Sequence, residues 1–474
     1  QKGLQFDVSN HCGGFRMIKR SLVEIQDMLN GSGLQEEYAD IRVDGVSIDT
    51  RTLHKGNLFI PIMRIDDGHN YVNTAFDRGA TATLWKKGHK HPPEGVPVIY
   101  VDDPLQALQE LATAYREQLN IKVVGVTGSN GKTTTKDMVK SILQTTYKVH
   151  KTKGNLNSQI GLPLTILDVA EETEVLVLEM GMSEKGQIHR LSTIAQPDVV
   201  VITMVGLAHI ATLGSEENIA NAKLEIIDGL RDGGLFIYYG DDAHLKQALA
   251  NVDLPMRVKT FGHEVTNNYY YEKVKEYKKY LEFDIAGEQL FKDLKVSIIG
   301  KHNVKNTLAA VAVALELGVT PENIIAGLKN LDLTAMRMET IQTKKGYTII
   351  NDAWNASPNS VQAAIETVQE MEGYHQKILV LGDMLELGDS AETLHKQMAK
   401  AIDPNEIDFV VTYGILASAI AKEAKQMMGE DKVVSPYTKS EIVQFINKIV
   451  KKEALILFKG SREMKLEEVV KNLI

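Results

Sequence analysis

Short, unbroken apolar runs recur through the middle of the chain, at Lys122–Val126, Glu174–Glu179, Asp198–Met204 and Leu235–Tyr239. Runs of this length, rich in β-branched residues and lacking polar alternation, suit strands buried on both faces of a parallel sheet. Helix-compatible segments lie between them, at Lys132–Thr145, Ser215–Leu230 and Val304–Leu317. The alternation predicts an open α/β sheet over roughly residues 119–333, with ligands at the carboxyl ends of its strands. A second unit of the same class follows over 334–474. Its strands are read at Ile378–Leu381, Phe409–Thr412 and Leu455–Phe458, and its helices at Val361–Glu370, Ala391–Ala401, Leu416–Met427 and Ser440–Val450. Residues 17–118 mix short strands (Val43–Ile48, Asn57–Ile60, Pro97–Val101) with helices, punctuated by Gly56, Gly68 and Gly79. No Pro/Gly/Ser-rich linker marks either junction.

Length and composition agree with three domains of ordinary size: 474 residues, 43% hydrophobic and 24% charged. The net charge of −9 and the lack of a long Lys/Arg run argue against nucleic acid or an anionic membrane as the main partner. Small anions, bound by local geometry, are not excluded. No stretch approaches the roughly 18 apolar residues of a membrane span. The single cysteine, Cys12, lies in Gln1–Arg16, which reads poorly as structure, whereas Met17-Ile18-Lys19-Arg20 looks like a natural start. Residues 1–16 are therefore expected to be a foreign leader. The remaining chain lacks cysteine, which rules out disulfides and thiol catalysis and makes a reducing cytoplasm the expected compartment.

The richest chemistry sits at residues 122–136, where an apolar run enters Thr127-Gly128-Ser129-Asn130-Gly131-Lys132-Thr133-Thr134. Glycines that admit phosphate to the backbone, a lysine, a hydroxyl and a following helix N-terminus form a phosphate-binding loop. Lys132 is expected to reach the phosphates and Thr133 to bind Mg²⁺. The strict pattern asks for glycine where Val126 stands, which leaves a Gly-rich strand-to-helix turn without nucleotide as the alternative, outweighed by the attached Lys132-Thr133 and the strand before it. Glu179 ends an apolar run, where it either holds metal or merely closes a strand. His209 follows the next strand and reads equally as structural. Lys223, inside a predicted helix, reads from physics alone as a solvated lysine. Asn303 and Asn306 share a helix face, and either meet an adenine edge or, for Asn303, cap the helix.

Together these residues resemble the Mur ligase family, the ATP-dependent amide-bond ligases that build the peptide of bacterial cell-wall precursors. Thr127–Thr134 is similar to that family's phosphate loop, and Gly300–Asn306 to its Gly-x-His-Asn-x-x-Asn segment. Asp352–Pro358 resembles its Asp-x-Tyr-Asn-Ala-Asn-Pro motif, with Trp354 for Tyr and Ser357 for Asn. Asp49-Thr50-Arg51, Gly56-x-Leu58-Phe59 and Asp67-Gly68-His69 resemble its UDP-binding domain, with Arg64 in place of a glycine.

The resemblance implies a small α/β UDP-binding domain (17–118), a central parallel-sheet phosphate-loop ATPase domain (119–333) and a C-terminal Rossmann-like α/β domain (334–474). It implies ATP and Mg²⁺, with the metal on Thr133, Glu179, His209 and a carbamylated Lys223, which overturns the bland reading of that lysine. Gly128, Ser129, Asn130, Gly131, Lys132, Thr133, Thr134, Asn303, Asn306, Arg337 and Asp352 are implied for ATP. Asp49, Thr50, Arg51, Asn155, Asn157, Asn355 and Asp383 are implied for the other substrates. Leu381–Gly388 and Lys459-Gly460-Ser461-Arg462 resemble segments of members that join D-alanyl-D-alanine to UDP-MurNAc-tripeptide through an acyl phosphate. A monomer is expected. A sister ligase using another amino acid, or a phosphate-loop NTPase without ligation, remain the other readings.

Overall fold

The computed structural model describes residues 17–250 and 252–474. The leader expected at 1–16, with Cys12, lies outside the described residues. Three α/β layers follow one another along the chain. In the first, parallel strands Val46–Ser47, Leu58–Phe59, Ala82–Lys86 and Val98–Val101 form a four-stranded sheet. The expected strand Val43–Ile48 breaks at Gly45. Its first part, Arg42–Asp44, instead pairs antiparallel with Lys19–Ser21.

Helix Pro104–Gln118, not foreseen from the sequence, closes this layer. Asp103 caps it, accepting from the Leu105 and Gln106 amides, and Pro104 stands where no amide hydrogen is needed. It buries Leu108, Leu111 and Tyr115. Its Arg116, 1% exposed, donates to the carbonyls of Ala195 at 2.9 Å and Gln196 at 3.1 Å in the next unit. The apolar core runs without a break from Ile18 and Leu22 through Leu111 and Val123 to Leu178, Val200 and Phe236, so the first two units share it.

The second sheet has nine strands. Lys122–Thr127 lies between Val175–Glu179 and Val199–Ile202, all parallel and nearly all buried. The parallel run continues through Leu235–Tyr239 and Arg257–Gly262. An antiparallel meander then extends it: Tyr269–Glu276, Leu281–Gly287 and Phe291–Val296. That extension was not expected, because its strands alternate buried and exposed residues instead of running continuously apolar. The expected helix Ser215–Leu230 is a helix over Glu216–Leu224 followed by a 3₁₀ turn over Glu225–Gly229.

The third sheet has six strands. Glu339–Gln342 is antiparallel to Thr348–Asp352. Ala454–Lys459, Gln376–Gly382, Phe409–Tyr413 and Val433–Val434 then follow in parallel. This layer has two apolar clusters, one drawn from its own residues and the other joined by Ile299 and Ile210 of the second unit. Among the described residues, no helix is long and apolar enough to cross a membrane.

Candidate active site

The strand Lys122–Thr127 delivers the chain into a loop that only glycine can complete. Gly128 (φ +151°) and Gly131 (φ +83°) adopt backbone shapes unfavourable to side chains. An added Cβ would lie 1.8 Å from Thr203 Oγ1 and 2.4 Å from Asn306 Oδ1, respectively. The loop is pinned from beneath: Thr203 Oγ1 donates to the Asn130 carbonyl at 2.5 Å, and the Gly206 amide donates to Ser129 Oγ at 2.8 Å. Helix Lys132–Leu143 starts at the loop's end, with Thr134 in its first turn, so its free amides face the same space. Lys132 Nζ donates to the Gly128 carbonyl at 2.7 Å. Burial lowers this ammonium's pKa; Glu179 opposes the shift and Arg337 adds to it. Asn303 and Asn306 share their helix face: Asn306 Nδ2 donates to Asn303 Oδ1 at 2.9 Å, beside Gly131. His302 next to them is driven down to about 4 by burial, Asp352 pulling the other way.

Glu179, at the carboxyl tip of its strand and 2% exposed, is the hub. Its Oε2 accepts from Thr133 Oγ1 and its Oε1 from Asn157 Nδ2, both at 2.8 Å. Lys136 Nζ, fully buried, stands 4.0 Å from Oε2 and donates to the Thr152 carbonyl at 2.9 Å. Lys136 was not foreseen; its signal was a lysine four residues after Lys132, on a helix face that is otherwise core.

A hydroxyl and the carboxylate it is hydrogen-bonded to are hard oxygen donors of the kind Mg²⁺ takes. Lys223 bears on the same question. It is 2% exposed and has no hydrogen bond or ion pair among the described residues. Burial and the charge of Lys132 push its amine well below its ordinary pKa. An anionic carbamate at that position would answer Lys132 where an ammonium opposes it, so the residues present fit the group. His209 faces elsewhere. Itself at φ +65°, it sets Nδ1 2.9 Å from Oε2 of Glu386 in the third unit, also left-handed at φ +62°. Its ring bonds neither Glu179 nor Thr133.

The third unit reaches the phosphate loop at two points and the segment after strand Val199–Ile202 at a third. Arg337 Nη2 donates to Thr133 Oγ1 at 3.1 Å, and Ser357 Oγ to Asn130 Oδ1 at 3.0 Å. Asn359 Oδ1 accepts from the Leu207 amide at 3.4 Å. Ser357 also caps helix Pro358–Glu370, so the departure from Asn leaves a working cap and a direct contact to the loop. Arg337 Nε and Asn130 Nδ2 are buried donors without a partner among the described residues. Two orphan donors beside a lysine and a helix N-terminus are what an oxyanion satisfies.

Asp352 is occupied within the protein: Oδ2 by Lys459 Nζ at 2.5 Å and Oδ1 by the Met338 amide at 3.2 Å. Asp383 Oδ1 accepts the Ala417 amide at 2.7 Å, which fixes the loop after the neighbouring strand. Asn355 is exposed, and Arg462 lies 5.0 Å over the Trp354 ring.

In the first unit, Asp49 and Arg51 pair with each other at 2.6 Å, and the Thr50 carbonyl takes Arg78. Asn155 contributes its carbonyl to the Asn157 amide at 2.7 Å. Among the described residues, one trio of metal-type side chains occurs, Asp67, His69 and His89, and it lies in this unit. Asp67 Oδ1 meets His69 Nδ1 at 2.7 Å and Oδ2 meets His89 Nε2 at 2.8 Å. His69 Nε2 accepts the Lys86 amide at 3.3 Å, so Nδ1 carries the hydrogen and is not free to ligate. The trio is a polar staple across two loops. Burial raises the Asp67 carboxyl, but the His69 amide and both imidazoles outweigh it, bringing it down to about 2. Its ionised form therefore stabilises the fold above the ordinary carboxylate range and loses that effect as pH falls towards 2. Asp67→Asn should lower stability at pH 7 by at most about 1 kcal/mol. In urea titrations the gap from wild type should close below pH ~4; a gap unchanged at pH 3 would refute the staple.

The family model for the Mur ligase middle domain matches residues 126–314, and that for the "Mur ligase, glutamate ligase domain" matches 336–462. The chain is 48% identical over 460 residues to UDP-N-acetylmuramoyl-tripeptide–D-alanyl-D-alanine ligase of Bacillus subtilis (strain 168), covering 97% of this chain and 99% of that one. Its fold is similar to the crystal structure of MurF from Acinetobacter baumannii (TM-score 0.85, 28% identity, 97% and 99% coverage). It is also similar to that of MurF ligase from Thermotoga maritima in complex with ADP (TM-score 0.79, 28% identity, 90% and 96% coverage). With a phosphate loop, an acidic strand tip beside it and a third unit that reaches the loop, the chain belongs to the Mur ligase family.

Proposed function

We propose that the chain is an ATP-dependent ligase that joins D-alanyl-D-alanine to UDP-MurNAc-tripeptide, giving the pentapeptide precursor of peptidoglycan. The observation that carries this reading is the phosphate loop whose Thr133 hydroxyl is met at once by Glu179 of its own unit and by Arg337 of the third. The 48% identity to the Bacillus subtilis ligase supports the choice of substrates.

Residues 17–118 take the UDP moiety, with Asp49, Thr50 and Arg51 at its strand ends. Residues 119–333 take ATP, and residues 334–474 the dipeptide. Asn155 and Asn157 lie on the nucleotide-sugar side, and Asn355 and Asp383 on the dipeptide side. Thr134, Asn303 and Asn306 line the nucleotide. The chain works in the cytoplasm.

Two anions, a peptide carboxylate and a triphosphate, must meet. Lys132 and Arg337 reduce their repulsion, and the helix N-terminus holds the transferred phosphoryl. Thr133, Glu179, His209 and carbamylated Lys223 would hold Mg²⁺, which when bound neutralises further charge on the phosphates. For His209 this requires release from Glu386. The γ-phosphoryl passes to the carboxylate, leaving ADP. The dipeptide amine then attacks the acyl carbon, expelling phosphate and losing a proton. Cover from the third unit, through Arg337 and Ser357, keeps water from the acyl phosphate.

The test is phosphate release from ATP with UDP-MurNAc-tripeptide, with and without D-alanyl-D-alanine. Release that requires the dipeptide, with the pentapeptide found by mass, is expected. Release independent of any amine would overturn the ligase reading.

A further inference from the structure

The third unit holds a buried ion pair that the proposed reaction leaves unused. Lys459 ends the strand Ala454–Lys459 and is 2% exposed. Asp352 ends the adjacent parallel strand, directly opposite it in register. The ammonium is shared between Asp352 Oδ2 at 2.5 Å and the Asn355 carbonyl at 3.0 Å. The other carboxylate oxygen accepts the Met338 amide.

That amide belongs to a strained turn. Met336 (φ +60°) and Met338 (φ +50°) both lie in the left-handed region, which a side chain disfavours and which persists only where the surroundings enforce it. Two carboxylates do so: Glu339 Oε2 accepts from the Met336 amide at 3.0 Å, and Asp352 accepts from Met338. Between the two methionines stands Arg337, which reaches from this turn to Thr133 in the phosphate loop.

We propose that Lys459 is a positioning residue for phosphoryl transfer: by fixing Asp352, it holds the Met336–Met338 turn in the shape that presents Arg337 to the phosphate loop. Lys459 touches no reacting atom. Without it, Asp352 is a buried carboxylate stripped of its cation. It then turns to water or takes up a proton, and its grip on the Met338 amide weakens. The inference rests on the reading above, in which Arg337 meets the nucleotide phosphates.

Four full-length chains test it: wild type, Arg337→Ala, Lys459→Met and the double variant, assayed for dipeptide-dependent phosphate release. Lys459→Met is expected to lower kcat roughly 10-fold or more, with KM for the UDP substrate within about twofold of wild type. The double variant should be no slower than Arg337→Ala by more than about twofold, because once the arginine is gone nothing remains to position. A wild-type kcat in Lys459→Met overturns the inference. So do losses that multiply in the double variant while Arg337→Ala alone is slow, a result that leaves the Arg337 reading standing. Full turnover in Arg337→Ala overturns both. If Lys459→Met shows no cooperative melting, Asp352→Asn runs the same cycle, since it keeps the shape and one acceptor while removing the charge pair.

Discussion

Lys223→Ala should be nearly inactive, and acetate should restore part of the lost turnover. The wild-type side chain is a buried amine with no acceptor among the described residues, next in charge to another lysine. CO₂ reacts with neutral amines only, and burial, together with the charge of Lys132, raises the neutral fraction of this one. One carbamate forms per CO₂, the neutral amine losing one proton and becoming an anion; counted from the ammonium, two protons leave and the local charge changes from positive to negative. Losing about 4 kcal/mol of charge stabilisation lowers the rate by about 10³-fold. Alanine leaves a cavity of the size of the lost side chain, into which a small carboxylate fits. Phosphate release measured against acetate concentration gives the answer. Wild-type turnover in the unrescued variant would falsify the carbamate assignment.

Glu179→Gln is expected to cost about 10²-fold or more in turnover and to shift the free Mg²⁺ requirement upward. The exchange keeps the shape and removes the charge. It also turns one of two acceptors into a donor, although Thr133 and Asn157 both donate to Glu179. The Thr133 hydroxyl can rotate; the Asn157 amide cannot do so without a flip. Lys136 then lies fully buried with its charge answered by Asp137 at 3.3 Å and no longer by Glu179. Phosphate release titrated with Mg²⁺ separates the two effects. An unchanged Mg²⁺ midpoint would remove Glu179 from the metal site, whatever happens to the rate.

The phosphate loop, the acidic strand tip and the amide pair on one helix face were legible in the sequence because each is contiguous. Apolar run, glycine turn and helix start lie within fifteen residues, and Asn303 and Asn306 are three apart. The contacts that complete the site were not legible. Ser357 meets Asn130 across 227 positions, and Arg337 meets Thr133 across 204. Lys459 meets Asp352 only through the register of two strands. His209's place after a strand left it evenly balanced, its metal role came from the family resemblance alone, and nothing local announced Glu386 as its partner. The meander at 269–296 escaped because its strands Tyr269–Glu276 and Phe291–Val296 carry exposed charged residues. Its lysines and glutamates broke the apolar signal that marked the buried strands.

The shared core beneath Arg116 bears on how the chain can be divided. Residues 17–118 cut away from the rest would expose Leu111, Tyr115 and Ile18 and strand a guanidinium whose acceptors, the carbonyls of Ala195 and Gln196, lie in the other fragment. Residues 334–474 supply nearly all of their own apolar clusters, taking only Ile299 and the half-buried Ile210 from the rest, and their other cited contacts to it are polar. By folding autonomy the molecule is thus bipartite, and the chain can be severed near residue 334 but not near 118.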